Sequence, residues 1–179
     1  MRAASEDLNL VARCKRELPH YHGAFEELVA SYRNSIYTLC YRMTGNRQDA
    51  EDLLQEILLR LFLGIQSFDG SAAFSTWVYR VAQNHCLNFL AKHKPQRAQT
   101  EVLLEEPPDP RSEEHKSHGL AQHILNQMEA TNRSLLVMKY IMELDIREIS
   151  GALGIGISAL KMRLLRARAQ FRKLYLEAR

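Results

Sequence analysis

Six basic side chains in one stretch carry the most explicit chemistry of this 179-residue chain. Lys161, Arg163, Arg166, Arg168, Arg172 and Lys173 follow Ser158 with no acidic residue among them. Leu160, Leu164, Ala167, Phe171 and Leu174 recur between them at three- and four-residue steps. On a helix turning ~100° per residue, that apolar set is one stripe with bases on both flanks. Lys161, Arg168 and Arg172 lie on one flank; Arg163, Arg166 and Lys173 lie on the other. An apolar face seats such a helix while the flanks meet phosphates beside a groove. Just upstream, Asp145 and Glu148 have capping-box spacing, and Ile149, Leu153 and Ile155 give a second apolar face. Gly154 supplies a backbone free to take positive φ, and Ser158 can cap the next helix. Short helix, glycine turn and basic second helix make a DNA-binding helix-turn-helix pattern. A solvated basic face, or packing on an acidic partner, would explain the charge run alone; the adjoining turn signal favours DNA.

Two further groups could do chemistry. Phe68 to Asn88 mixes aromatic, small and amide residues. Aromatic rings stack on unpaired bases and amides hydrogen-bond their edges. Trp77, Arg80, Asn84 and Asn88 recur at three- and four-residue steps, so one helix face can hold them, and Lys92 and Lys94 extend it. Core packing of Phe74 and Trp77 is the competing account. In the segment Asp49–Phe62, Asp52, Gln55 and Glu56 form a polar stripe opposite the apolar positions. That stripe is either a solvated face or a docking surface for a helical partner.

Helices must position these groups. Only 8 Gly and 5 Pro punctuate the chain, too few turns for a sandwich or barrel. Apolar residues at 46% and charged residues at 25% exclude disorder over the whole length. Helical periodicity predicts helices from Ser5 to about Arg16, Phe25 to Met43 and Asp49 to Phe62. Another runs to about His93, capped by Ser75 or Thr76. Pro95, Pro107, Pro108 and Pro110 and a surplus of acids mark Pro95–His118 as an extended acidic linker. Four helical patterns follow, near Leu120–Glu129, Asn132–Met142, Ile146–Leu153 and Ala159–Leu176. The expected fold is all-α, with two small helical domains at residues 1–94 and 119–179 joined by residues 95–118. Net charge is only +3, yet bases outnumber acids from Lys139 onward and the remainder is acidic. Cys14, Cys40 and Cys86 are scattered, and neither a secretory leader nor a membrane-spanning run is visible, so a cytoplasmic location is expected.

Three motifs in order complete the reading: Tyr41–Asn46 with Asp49–Glu56, Phe74–Asn84, and Glu148–Leu153 with Arg163–Arg168. Together they resemble a bacterial extracytoplasmic-function sigma factor over nearly the whole chain. The resemblance implies that Asp52, Gln55 and Glu56 dock on the largest subunit of core RNA polymerase. It implies that Ser71, Ala72, Phe74, Trp77, Arg80, Asn84 and Asn88 recognise the −10 element and hold a flipped base. Ser158, Lys161, Met162, Arg163, Arg166 and Arg168 would read the −35 element in the major groove. The linker would thread toward the polymerase cleft. Promoter DNA and an anti-sigma factor, often membrane-bound, are the further partners implied. No cofactor, metal or small-molecule substrate is expected. Ser158-Ala159 and Met162 depart from the family pattern where base contacts occur, so the promoter read need not be typical.

A free-standing repressor with a helical sensor domain is the alternative, with Cys14, His20 and His22 as a metal sensor. An enzyme is disfavoured: HExxH, GxSxG and GxxxxGK[ST] are all missing.

Overall fold

A computed structural model of the chain describes residues 4–97 and 113–178. Among them the chain is helical, with no strand. The first helices are α1 (Ala4–Glu17), α2 (Gly23–Thr44), α3 (Arg47–Gly64) and α4 (Phe74–Arg97). They pack through Leu28, Ile36, Leu39 and Met43 of α2, Leu53, Ile57 and Leu61 of α3, and Val78, Tyr79 and Ala82 of α4. These positions share one side of each helix, so each helix buries one stripe, and each buried Leu, Ile, Val or Met side chain stabilises by ~1.5–3 kcal/mol. Gly45 ends α2 in the left-handed region at φ 68°, and Asn46 then caps α3 by accepting the Asp49 N–H at 2.9 Å.

The second group is α5 (Glu113–Gln127), α6 (Ala130–Leu136), α7 (Ile146–Leu153) and α8 (Ile157–Glu177). A widened helical turn at Val137–Ile141 follows α6 and leaves Tyr140 and Ile141 exposed. Asp145 and Glu148 form the expected capping box, and Gly154 takes φ 64° between α7 and α8. Leu160, Leu164 and Ala167 bury one side of α8.

The two groups pack against each other. Arg42 donates to Gln122 Oε1 at 3.1 Å, Gln83 Nε2 to Ser134 Oγ at 3.2 Å, and Arg133 to the Met43 carbonyl at 2.5 Å. Two glycines lie where the groups approach closely. A Cβ on Gly45 would meet Asn126 Nδ2 at 2.7 Å, and one on Gly151 would meet Thr76 Cγ2 at 2.9 Å.

Several local expectations are corrected. α4 begins at Phe74, so Ser75 and Thr76 are buried in its first turn and do not cap it. It also runs through Pro95 to Arg97, so this proline lies in the last turn and does not mark the helix end. Glu113–His118 belong to α5 despite weak apolar periodicity. Ser158 lies inside α8; the cap position is Gly156. The linker prolines 107, 108 and 110 fall outside the described residues.

Candidate nucleic-acid interface

Between α3 and α4 a short loop turns back on the bundle. A tight helical turn at Ile65–Ser67 leads to Phe68, which is buried and anchors the loop. Phe68 meets Phe74 edge-on at 5.4 Å and Trp77 at 5.5 Å between ring centroids. Lys15 of α1 donates to the Phe68 carbonyl at 2.5 Å, tying the loop to the N-terminal helix. Asp69 Oδ1 accepts the Ser71 N–H at 2.9 Å across Gly70, whose φ is 76°. Hydrogen bonds from the Ser71 backbone and side chain hold the Asp69 carboxyl below the usual carboxylate range. The result is a pocket of about 230 Å³ lined by Phe68, Asp69, Ser71, Ala72, Trp77 and Arg80. It is smaller than sites for drug-sized ligands, ~300–1,000 Å³, and its wall is a half-buried indole. A flat group can enter and stack there, with hydroxyl, carboxylate and guanidinium groups at the edges.

Ser71, Ala72, Trp77 and Arg80 therefore line one pocket, and Asn84 and Asn88 continue the exposed face of α4. Phe74 does not join them. It is 2% exposed and packs among Tyr32, Phe68 and Trp77, so its role is core. Arg80 is committed elsewhere as well as to the pocket: it donates to the Gly151 and Ala152 carbonyls of α7 at 2.6 and 3.3 Å. Phe68 and Asp69 line the pocket too, which the spacing along α4 does not reveal. The Asp-Gly-Ser turn signal was present in the sequence, but only the folded loop brings its side chains to Trp77.

On α3, Asp52 and Gln55 are exposed and Asp52 accepts from Gln48 at 3.2 Å. Glu56 pairs with His85 of α4 at 2.5 Å, a contact between helices that spacing along α3 does not reveal. Leu59 and Leu63, 57% and 69% exposed, extend the same face, giving it an apolar end beside its carboxylates.

All six residues expected to read the groove, Ser158, Lys161, Met162, Arg163, Arg166 and Arg168, are exposed on α8. Arg163 and Arg168 lie nearest the buried stripe; Arg168 also borders an apolar hollow of about 380 Å³ with Leu136, Tyr140 and Phe171. The sensor alternative loses its metal site. Cys14 is fully buried, burial pushes its thiol up to about 11, and His22 stacks on Phe62. Among the described residues no group of three or more metal-ligating side chains occurs.

Comparison with known proteins agrees with this layout. Residues 28–96 match the Sigma-70 region 2 family and residues 118–171 match Sigma-70, region 4. The ECF RNA polymerase sigma factor SigW of Bacillus subtilis is 37% identical over 84% of this chain and 88% of its own. The fold is shared with CnrH in its complex with the cytosolic domain of CnrY, at TM-score 0.72, 20% identity, and 98% and 99% coverage. It is also shared with the sigma factor RpoE bound to the anti-sigma factor NepR from Bartonella quintana, at TM-score 0.67, 16% identity, and 87% and 98% coverage. With the pocket, the polar face of α3 and the helix-turn-helix in one sigma-type order, the chain belongs to the extracytoplasmic-function sigma factors.

Proposed function

We propose that α3 docks this sigma factor on core RNA polymerase through Asp52, Gln55, Glu56 and the adjoining Leu59 and Leu63. The pocket at Trp77 then takes one unpaired base of the −10 element, and α8 enters the major groove of the −35 element. The observation that carries the reading is a basic helix after a glycine turn and an indole-walled pocket on one chain: one suits duplex, the other an extruded base. Flipping a base costs only a few kcal/mol, and stacking on an aromatic side chain returns ~1–3 kcal/mol. No nucleotide hydrolysis is needed on that scale.

The packed arrangement is the resting form. By their promoter positions the two elements are centred ~25 base pairs apart, some 85 Å at ~3.4 Å per pair. A compact 179-residue chain has a radius of gyration of only ~16 Å. The helical groups therefore separate on DNA, and residues 98–112 can bridge at most ~50 Å if fully extended. Separation also frees Arg80 from α7 for phosphates or a base edge. An anti-sigma factor is the natural holder of the packed form, since RpoE from Bartonella quintana is complexed with one. Cell fractionation of the captured partner tests whether it is membrane-anchored. The sigma factor itself acts beside polymerase in the cytoplasm; among its described residues no helix is long and apolar enough to cross a membrane.

Permanganate footprinting of unpaired thymines on a promoter bound by the reconstituted holoenzyme tests the pocket. Reactive thymines at the −10 element are expected with the natural chain and are lost with Trp77→Ala. Equal reactivity with both would remove Trp77 from the melting step.

A further inference from the structure

Met162 and Leu165 are large apolar side chains left 51% and 57% exposed on α8. Counting ~100° per residue from the buried stripe of Leu160, Leu164 and Ala167 places both on the opposite, outward side. Lys161 and Arg172 border them on one flank; Arg166 and Lys173 border them on the other. The centre of the groove-facing surface is therefore apolar, and its charges stand at the edges where phosphates would lie. Leu165 offers a base edge no hydrogen bond, and Met162 offers only a weak thioether acceptor. The apolar feature that base pairs show in the major groove is the 5-methyl group of thymine.

We propose that Met162 and Leu165 form a methyl reader, packing on thymine 5-methyl groups and making thymine a sequence determinant of the −35 element. This rests on α8 being the helix that enters that element. The i, i+3 spacing sets their Cβ atoms ~5–6 Å apart and offsets them by ~4.5 Å along the axis. That offset is close to one ~3.4 Å base-pair step, so the pair faces neighbouring base pairs. The unbranched, polarisable Met162 side chain adjusts to whichever strand carries the methyl.

The test uses holoenzyme assembled from the full chain and core polymerase. Duplexes are enriched from a library randomised across the −35 element, and thymine is then replaced by deoxyuridine one position at a time. Deoxyuridine keeps the base pair and removes only the methyl. Weakening of about three- to fivefold is expected at one or two positions, the loss of a single buried methyl. Met162→Ala or Leu165→Ala should bind the thymine and deoxyuridine forms equally at the position its side chain covers. Arg166→Ala should weaken both forms and keep their ratio. Equal binding of both forms by the natural chain at every position would overturn the proposal, as would an unchanged ratio in both apolar variants. A holoenzyme that enriches no duplex would instead sink the assignment of α8 to the −35 element, and the methyl reader with it.

Discussion

Gly151 offers a direct hold on the packed arrangement. It lies inside α7, where glycine costs about 1 kcal/mol relative to alanine, so local helix stability does not account for it. Its place against Thr76 does, since a Cβ would come within 2.9 Å of Cγ2 on that β-branched side chain. Arg80 closes the same contact by donating to the Gly151 and Ala152 carbonyls. Gly151→Leu should therefore strengthen α7 and wedge it away from α4. Overpacking costs ~1–3 kcal/mol, and the two partly exposed Arg80 bonds add ~1 kcal/mol. At ~1.4 kcal/mol per decade, the closed-to-open ratio falls by more than tenfold. Dyes on introduced surface cysteines of α3 and α8 would report this, because Cys14, Cys40 and Cys86 are all buried. Energy transfer along a shallow urea series should be lost at lower urea in the variant, with helicity and −35 duplex binding retained. Adding Thr76→Ser, which removes the methyl group met by the new side chain, should restore part of the closure. Superimposable transfer profiles for the natural chain and Gly151→Leu would refute the reasoning.

Trp77→Ala should weaken binding of single-stranded −10 DNA by ~1–3 kcal/mol and leave −35 duplex binding unchanged, measured by fluorescence anisotropy. Arg166→Ala should reduce the slope of log affinity against log salt by about one for the −35 duplex if its guanidinium meets a phosphate. Tyr32→Phe should lower stability by ~1–3 kcal/mol in urea unfolding, because the hydroxyl donates to Asp7, a carboxylate only 4% exposed. Burial and the Asp7 contact raise the Tyr32 phenol far above its ordinary 10.0. Its share of stability is therefore complete below pH 10 and is lost as pH climbs beyond that value, so alkaline unfolding should be shallower in Tyr32→Phe.

The helix-turn-helix was legible because its determinants are local. The capping box at Asp145 and Glu148, the positive φ of Gly154 and the buried stripe of α8 each follow from residues a few positions apart. The stripes of α2 and α3 were legible for the same reason, and so was the family. What was missed depends on contacts between distant segments. Glu56 looked free along α3 until His85 of α4 came beside it. Phe74 fits both stacking and core packing in the sequence, and only Tyr32 and Phe68 closing around it decide for the core. Arg80 looked like a pure nucleic-acid ligand until α7 offered two carbonyls. Gly45 and Gly151 read as a helix stop and an unremarked helix residue, yet both lie where the two helical groups approach closely enough to exclude a Cβ. Cap positions failed differently: Ser75, Thr76 and Ser158 have the right side chains, but helices extended past them because Phe74 and Ile157 already take helical conformation.

Multi-round transcription with core polymerase, the purified chain and a library of random upstream sequences tests the central claim most directly. Defined start sites, sharing one −35 and one −10 sequence and absent without the added chain, are the predicted result. Transcription that is no greater and no more sequence-selective than with core polymerase alone would contradict it.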